Sequence, residues 1–133
     1  MILVDASVWI EFFQRKNSMY SNKLKELIEN EENLCLTDIT VTEILQGISD
    51  DNLFDELKTY LYDFPIFKAK DISTYISAAN IYRVCRRNGS QIRNTIDTLV
   101  SAIAIENDFE VFHNDRDFNT ISKYTKLKIF KIV

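Results

Sequence analysis

The stretch Met1-Ile2-Leu3-Val4-Asp5-Ala6-Ser7-Val8-Trp9 sets the reading of everything after it. Met1 to Val4 is apolar, too short for a helix, and ends at a charge, so it reads as a buried strand. Ser7 then starts a helical pattern that carries Val8, Trp9, Phe12 and Phe13 on related faces. A strand passing into a helix through one carboxylate opens a β-α unit, and the same alternation continues to the end. Residues 19–31 form an amphipathic helix pattern on Leu24, Leu27 and Ile28, and Leu34 to Leu36 a second strand. A helix is expected from Thr40 to near Gly47 and another over 51–62. Pro65 breaks the pattern, and Ile66 to Phe67 is a short third strand. Residues 71–88 read as a long helix stopped by Gly89, and 95–107 as the most apolar helix. Glu110 to Phe112 is the fourth strand, 117–123 a short helix, and Leu127 to Val133 alternates as an edge strand does.

This alternation predicts an α/β fold, a parallel sheet of about five strands with helices on both faces. Function in such sheets gathers outside the carboxyl ends of the strands. Asp5 and the segment Asn114 to Asp117 both fall there.

Composition agrees with that class. The 133 residues are expected to form a single domain, 1–133. A hydrophobic fraction of 46% allows a real core, and only two Gly and one Pro argue against a turn-rich β-sandwich. No apolar run approaches the ~18 residues a membrane helix needs, and Asp5 interrupts the first one, so neither a signal peptide nor a membrane partner is expected. Cys35 and Cys85 lie far apart in apolar patterns, which favours reduced buried thiols over a disulfide or zinc site and a cytoplasmic setting. The net charge of −4 argues against a general nucleic-acid binder. Two features answer it: negative charge gathered where a cation neutralises it, and a local run of Arg83, Arg86, Arg87 and Arg93. That run reads equally well as an RNA-binding patch or as a solvated helix end.

The candidate acids differ in what supports them. Asp97 is the most telling: on a helix turning ~100° per residue it shares its side with Val100, Ser101 and Ala104. A carboxylate so surrounded needs a cation, a donor or a proton, because unpaired burial of charge costs several kcal/mol, on the order of the fold's own stability. Asp5 is either a ligand or a helix N-cap, with Ser7 competing for the cap. Glu43 ends Thr40-Val41-Thr42-Glu43, which has the form of a capping box, and the wheel turns it away from Val41, Ile44, Leu45 and Ile48. Asp115 and Asp117 are ligands or caps of the following helix. His113, the lone histidine, is given no catalytic role, and a two-histidine ribonuclease mechanism is thereby excluded. With no Gly-rich phosphate loop, G-x-S-x-G elbow or H-E-x-x-H pair, a carboxylate-held hard cation, Mg²⁺ or Mn²⁺, is the chemistry left.

Four segments together resemble a known family: Ile2-Leu3-Val4-Asp5-Ala6-Ser7, Thr42-Glu43-Ile44-Leu45-Gln46-Gly47, Asp97-Thr98-Leu99-Val100-Ser101-Ala102-Ile103-Ala104, and Asn114-Asp115-Arg116-Asp117-Phe118. Their order and spacing are similar to those of the PIN domain, and most of all to VapC-type toxins of type II toxin–antitoxin pairs. The resemblance spans nearly the whole chain. It implies a PIN-like three-layer fold and a metal-dependent endoribonuclease leaving 5′-phosphate and 3′-hydroxyl ends. It matches Asp5, Glu43 and Asp97 to the family's first three acids and Asp115 to the fourth, with Asp117 as neighbouring candidate and Ser7 beside the first. Asp5, Asp97 and Asp115 are the expected metal ligands. It implies RNA as substrate, a cognate antitoxin as inhibitor, and often a homodimer. Ser101 departs from it, standing where Ala is commoner. Two rivals stand against this expectation: a catalytically silent PIN-like module that binds RNA or a partner, and a phosphoacceptor receiver domain. The second lacks its acceptor, since Lys68 follows the third strand.

Overall fold

A computed structural model describes all of residues 1–133. Its strands are β1 (Ile2–Val4), β2 (Leu34–Thr37), β3 (Ile66–Phe67), β4 (Glu110–Phe112) and β5 (Lys128–Ile129). Its helices are α1 (Ala6–Phe13), α2 (Met19–Glu29), α3 (Asp38–Gln46), α4 (Asp51–Leu61), α5 (Ile72–Arg87), α6 (Thr95–Asn107) and α7 (Arg116–Tyr124). All strand pairs are parallel, in the order β3-β2-β1-β4-β5.

Alternation along the short strands builds two cores. Leu3, Cys35 and Val111 point into a cluster with α5, α6 and α7. Val4, Leu34, Leu36 and Phe112 point the other way, onto Val8 and Trp9 of α1, Leu24 of α2, Ile44 of α3 and Leu61 of α4. The period-2 geometry of a strand divides adjacent apolar residues this way. Each fully buried side chain of this kind contributes ~1.5–3 kcal/mol, which explains how β1, β2 and β4, of three to four residues each, hold register. Cys35 and Cys85 are both buried and free, and burial pushes the Cys35 thiol up to about 12.

The order of strands fixes the site. The chain lays β2 and β3 on one side of β1, then returns through α5 and α6 to place β4 on the other. The gap between the carboxyl ends of β1 and β4 is therefore the switch point of the sheet. Asp5 continues the ladder there, its amide donating to Phe112 O at 2.9 Å.

Boundaries differ most from the sequence reading at α3 and β5. α3 starts at Asp38, because Thr37 caps it: Thr37 Oγ1 accepts from the Thr40 amide at 3.1 Å. No capping box joins Thr40 to Glu43. β5 holds only Lys128–Ile129 of the expected 127–133 edge strand. The expected stop at Gly89 is present: φ there is +80°, a left-handed turn glycine adopts without strain, and the Gly89 and Ser90 amides donate back to Arg86 O and Cys85 O.

Candidate metal centre

Asp5 takes the capping role the sequence offered and keeps its second oxygen out of it. It caps α1, its Oδ2 accepting from the Ser7 amide at 3.0 Å and the Ser7 hydroxyl at 2.7 Å. Its Oδ1 is buried and has no hydrogen-bond partner. Ser7 is thus not a rival cap but a brace. Its Oγ also accepts from the Asn114 amide at 2.9 Å, and Asn114 Nδ2 donates to Glu11 at 2.9 Å, tying the turn after β4 to α1.

Asp97 lies in the first turn of α6 and is 3% exposed. Its Oδ2 is buried and unpartnered. Glu43 is half-buried rather than solvent-facing, and its Oε1 is likewise unpartnered. The helical wheel misled because α3 is packed on more than one side. Val41, Ile44 and Leu45 meet one core, while Ile39, one turn before Glu43, meets the other.

Asp115 caps α7, Oδ1 accepting from the Asp117 amide at 3.0 Å. The carboxylates of Asp97, Asp115 and Asp117 come within 4.8 Å of one another. Arg93 sits against them, Nη2 donating to Asp115 at 3.1 Å and Nε to Asp117 at 3.4 Å. His113 is buried and structural: Nδ1 accepts from the Asp115 amide at 3.0 Å, and the ring lies 5.0 Å from that of Phe118.

The acids act on one another's charge. Burial pushes Asp97 up to about 8, aided by the negative charge of Asp115 and Asp5. Burial, then Asp5 and Asp115, pushes Glu43 up to about 7. Burial also raises Asp5, against the lowering by its bonds from Ser7. Carboxylates that repel at short range hold protons until a cation replaces them. Of five buried polar side-chain atoms lacking a partner, three are oxygens of Asp5, Glu43 and Asp97. An oxygen-only donor set of this kind fits Mg²⁺ or Mn²⁺.

The family model for the PIN domain matches residues 2–124. The chain belongs to the PIN domain family. It is 33% identical over 129 residues to "VapC ribonuclease Mb1587" of Mycobacterium bovis and, at the same identity, to "Ribonuclease VapC11" of Mycobacterium tuberculosis. In both, 96% of each chain is covered. The PIN fold also superposes on VapBC2 from Rickettsia felis, solved bound to a DNA fragment from its promoter, with TM-score 0.74, 17% identity and 98% of both chains covered. The five-stranded parallel sheet flanked by helices is the PIN-like α/β fold.

The arginines separate. Arg83, Arg86 and Arg87 are exposed near the end of α5, Arg83 bonded to Asn80 and Arg86 lying over Tyr82. Arg93 alone of the run joins the acids. Sequence reasoning also passed over Ser101, whose fully buried Oγ has no partner one turn beyond Asp97. A hydroxyl on the Asp97 side of so apolar a helix was the available signal.

Proposed function

We propose that this PIN-domain chain, working as one domain over 1–133, is a Mg²⁺- or Mn²⁺-dependent endoribonuclease and the toxin of a toxin–antitoxin pair. The observation that carries this reading is the trio of buried, unpartnered carboxylate oxygens on Asp5, Glu43 and Asp97. Asp5, Asp97 and Asp115 would hold the ion, with Glu43 completing the site. Bound there, the ion would supply Lewis acidity at the scissile phosphate and lower the pKa of the attacking water. Ser7 fixes the rotamer of Asp5 through its two bonds, leaving Oδ1 turned inward. Glu43, whose Oε1 is buried and unpartnered, would complete the site or orient water at the ion. Arg83, Arg86 and Arg87 offer phosphate contacts on the rim.

An antitoxin fits the apolar groove of ≈ 270 Å³ lined by Ile10, Phe13, Ile44, Ile48, Leu53 and Leu57. A second copy fits the exposed Ile72, Tyr75 and Ile76 on α5. No helix is long and apolar enough to cross a membrane, and we place the chain in the cytoplasm with its RNA substrate. The test is cleavage of total RNA with Mn²⁺ by the wild type and by Asp97→Asn. Cleavage by the wild type alone, lost in EDTA, is expected. Full activity in Asp97→Asn, or undiminished activity in EDTA, overturns the reading.

A further inference from the structure

The acid cluster presents a folding problem before any cation arrives. Asp97, Asp115 and Asp117 bring carboxylates within 4.8 Å, and Asp97 and Asp117 are 3% and 4% exposed. Uncompensated buried charge of one sign destabilises a fold. One basic side chain answers it. Among the ion pairs, those of Lys23, Lys25, Lys58 and Lys128 join Glu26, Glu29, Asp55 and Asp108, none of them in the cluster. Both remaining pairs come from Arg93, to Asp115 and Asp117.

Arg93 is held for this position. Ile92 before it is 3% exposed and packed in the core. Asn94 after it caps α6, accepting from the Ile96 amide at 2.9 Å. Its own amide donates to Asp117 Oδ2 at 3.2 Å, while its Nε takes Asp117 Oδ1. Both oxygens of Asp117 are therefore occupied by one residue. Asp115 keeps one oxygen outside these bonds, since Arg93 and the Asp117 amide share Oδ1.

We infer that Arg93 is the resident counter-cation of the acid site: a positioning residue, locked by Asp117, that offsets the cluster's charge while no metal is bound. Asp117 then belongs to this bracket and Asp115 to the ligand set. The inference deepens the metal-site reading and rests on it for the role of the cation. It differs from a phosphate-binding role for Arg93, because the guanidinium faces carboxylates at 3.1 and 3.4 Å.

The test is thermal unfolding of the full chain at neutral pH, in EDTA and in MnCl₂, for wild type, Arg93→Gln and Arg93→Lys. In EDTA, Arg93→Gln is expected to lower Tm by about 4–8 °C, and Arg93→Lys, which keeps the charge but not the fork, to recover more than half of that loss. Mn²⁺ should raise the Tm of Arg93→Gln by more than that of wild type, closing most of the gap. Equal losses in the Lys and Gln variants overturn the inference, since fork geometry rather than charge would then matter. A gap left unchanged by Mn²⁺ that does raise the wild-type Tm overturns it too, reducing Arg93 to a prop of the fold. If Mn²⁺ leaves the wild-type Tm unmoved, the metal-site reading falls by itself. The counter-cation is then decided in EDTA alone, by whether Lys recovers what Gln loses.

Discussion

Two helices of this molecule begin with the same device. Asp5-Ala6-Ser7 opens α1 and Asp71-Ile72-Ser73 opens α5. In each, one carboxylate oxygen accepts from both the amide and the hydroxyl of the serine two residues on. Yet Asp71 is held below the usual carboxylate range by those bonds from Ser73, while Asp5 is raised. The cap is common to both, so it does not set the difference. Asp71 is exposed, and water solvates its charge. Asp5 is 4% exposed, and its Oδ1 is buried with no donor. A capping motif thus reports where a helix starts; the fate of the second oxygen reports whether a carboxylate is available for chemistry.

The largest way to break this comparison is to neutralise each cap in turn. Asn caps helices about as well as Asp, so Asp5→Asn and Asp71→Asn should both fold. We expect Asp5→Asn to lose metal-dependent RNA cleavage by at least about 10²-fold, the scale on which an electrostatic group at a reacting centre acts, and Asp71→Asn to cleave like wild type. Initial rates on one RNA at matched Mn²⁺ check this. Equal rates in the two variants would make Asp5 a cap and nothing more.

A second effect is read in stability against pH. Asp97 and Glu43 have folded pKa values of about 8 and about 7, raised above their unfolded values. The folded state therefore binds more protons than the unfolded state, and stability falls as pH rises. The contribution is fully present below pH ~4 and lost as pH passes through the folded values. In EDTA we expect Tm to decline by several degrees between pH 5.5 and 8.5, on the order of a few kcal/mol at most. Mn²⁺ should flatten the decline, because the ion takes the place of the protons. Asp71 and Asp108, both lowered, act in the opposite sense and only in acid, below their unfolded values. An Asp97→Asn chain whose Tm falls as steeply as wild type in EDTA would remove Asp97 as the cause.

The two caps also mark how far the sequence could be read. The strand-then-helix opening, the α/β class, the parallel sheet and the placement of Asp5 and Asp115 at strand ends were legible, because apolar periodicity and chain order dictate them. Asp97 was legible from burial alone. Glu43 was not: its wheel assumes one buried face, whereas α3 is packed against both cores, and only resemblance kept it in the site. The choice between Asp115 and Asp117 was hidden for a related reason. The two differ in how they meet Arg93, which reaches them across 22 and 24 residues of sequence. The start of α3 was missed because Thr37 and Thr40 are equally good caps by type, and the extended backbone at Thr37 decides between them.

The smallest effect separates the two serines. Ser7→Ala and Ser73→Ala each remove a hydroxyl bonded to the capping aspartate. Ser73 is exposed and its hydroxyl serves only that local turn, so its loss should cost no more than about 0.5 kcal/mol, as at an ordinary surface position. Ser7 also accepts the Asn114 amide from the turn after β4. Its loss removes that bond and the hydroxyl's bond to Asp5, which should cost about 0.5–1.5 kcal/mol. Because the same hydroxyl fixes the two strand ends that carry Asp5 and Asp115, Ser7→Ala should also slow cleavage about tenfold, while Ser73→Ala leaves it unchanged. Urea unfolding and initial rates on the pair measure both. If Ser7→Ala lowers stability without touching the rate, the brace serves the fold and not the carboxylates, and the difference between the two caps lies in burial alone.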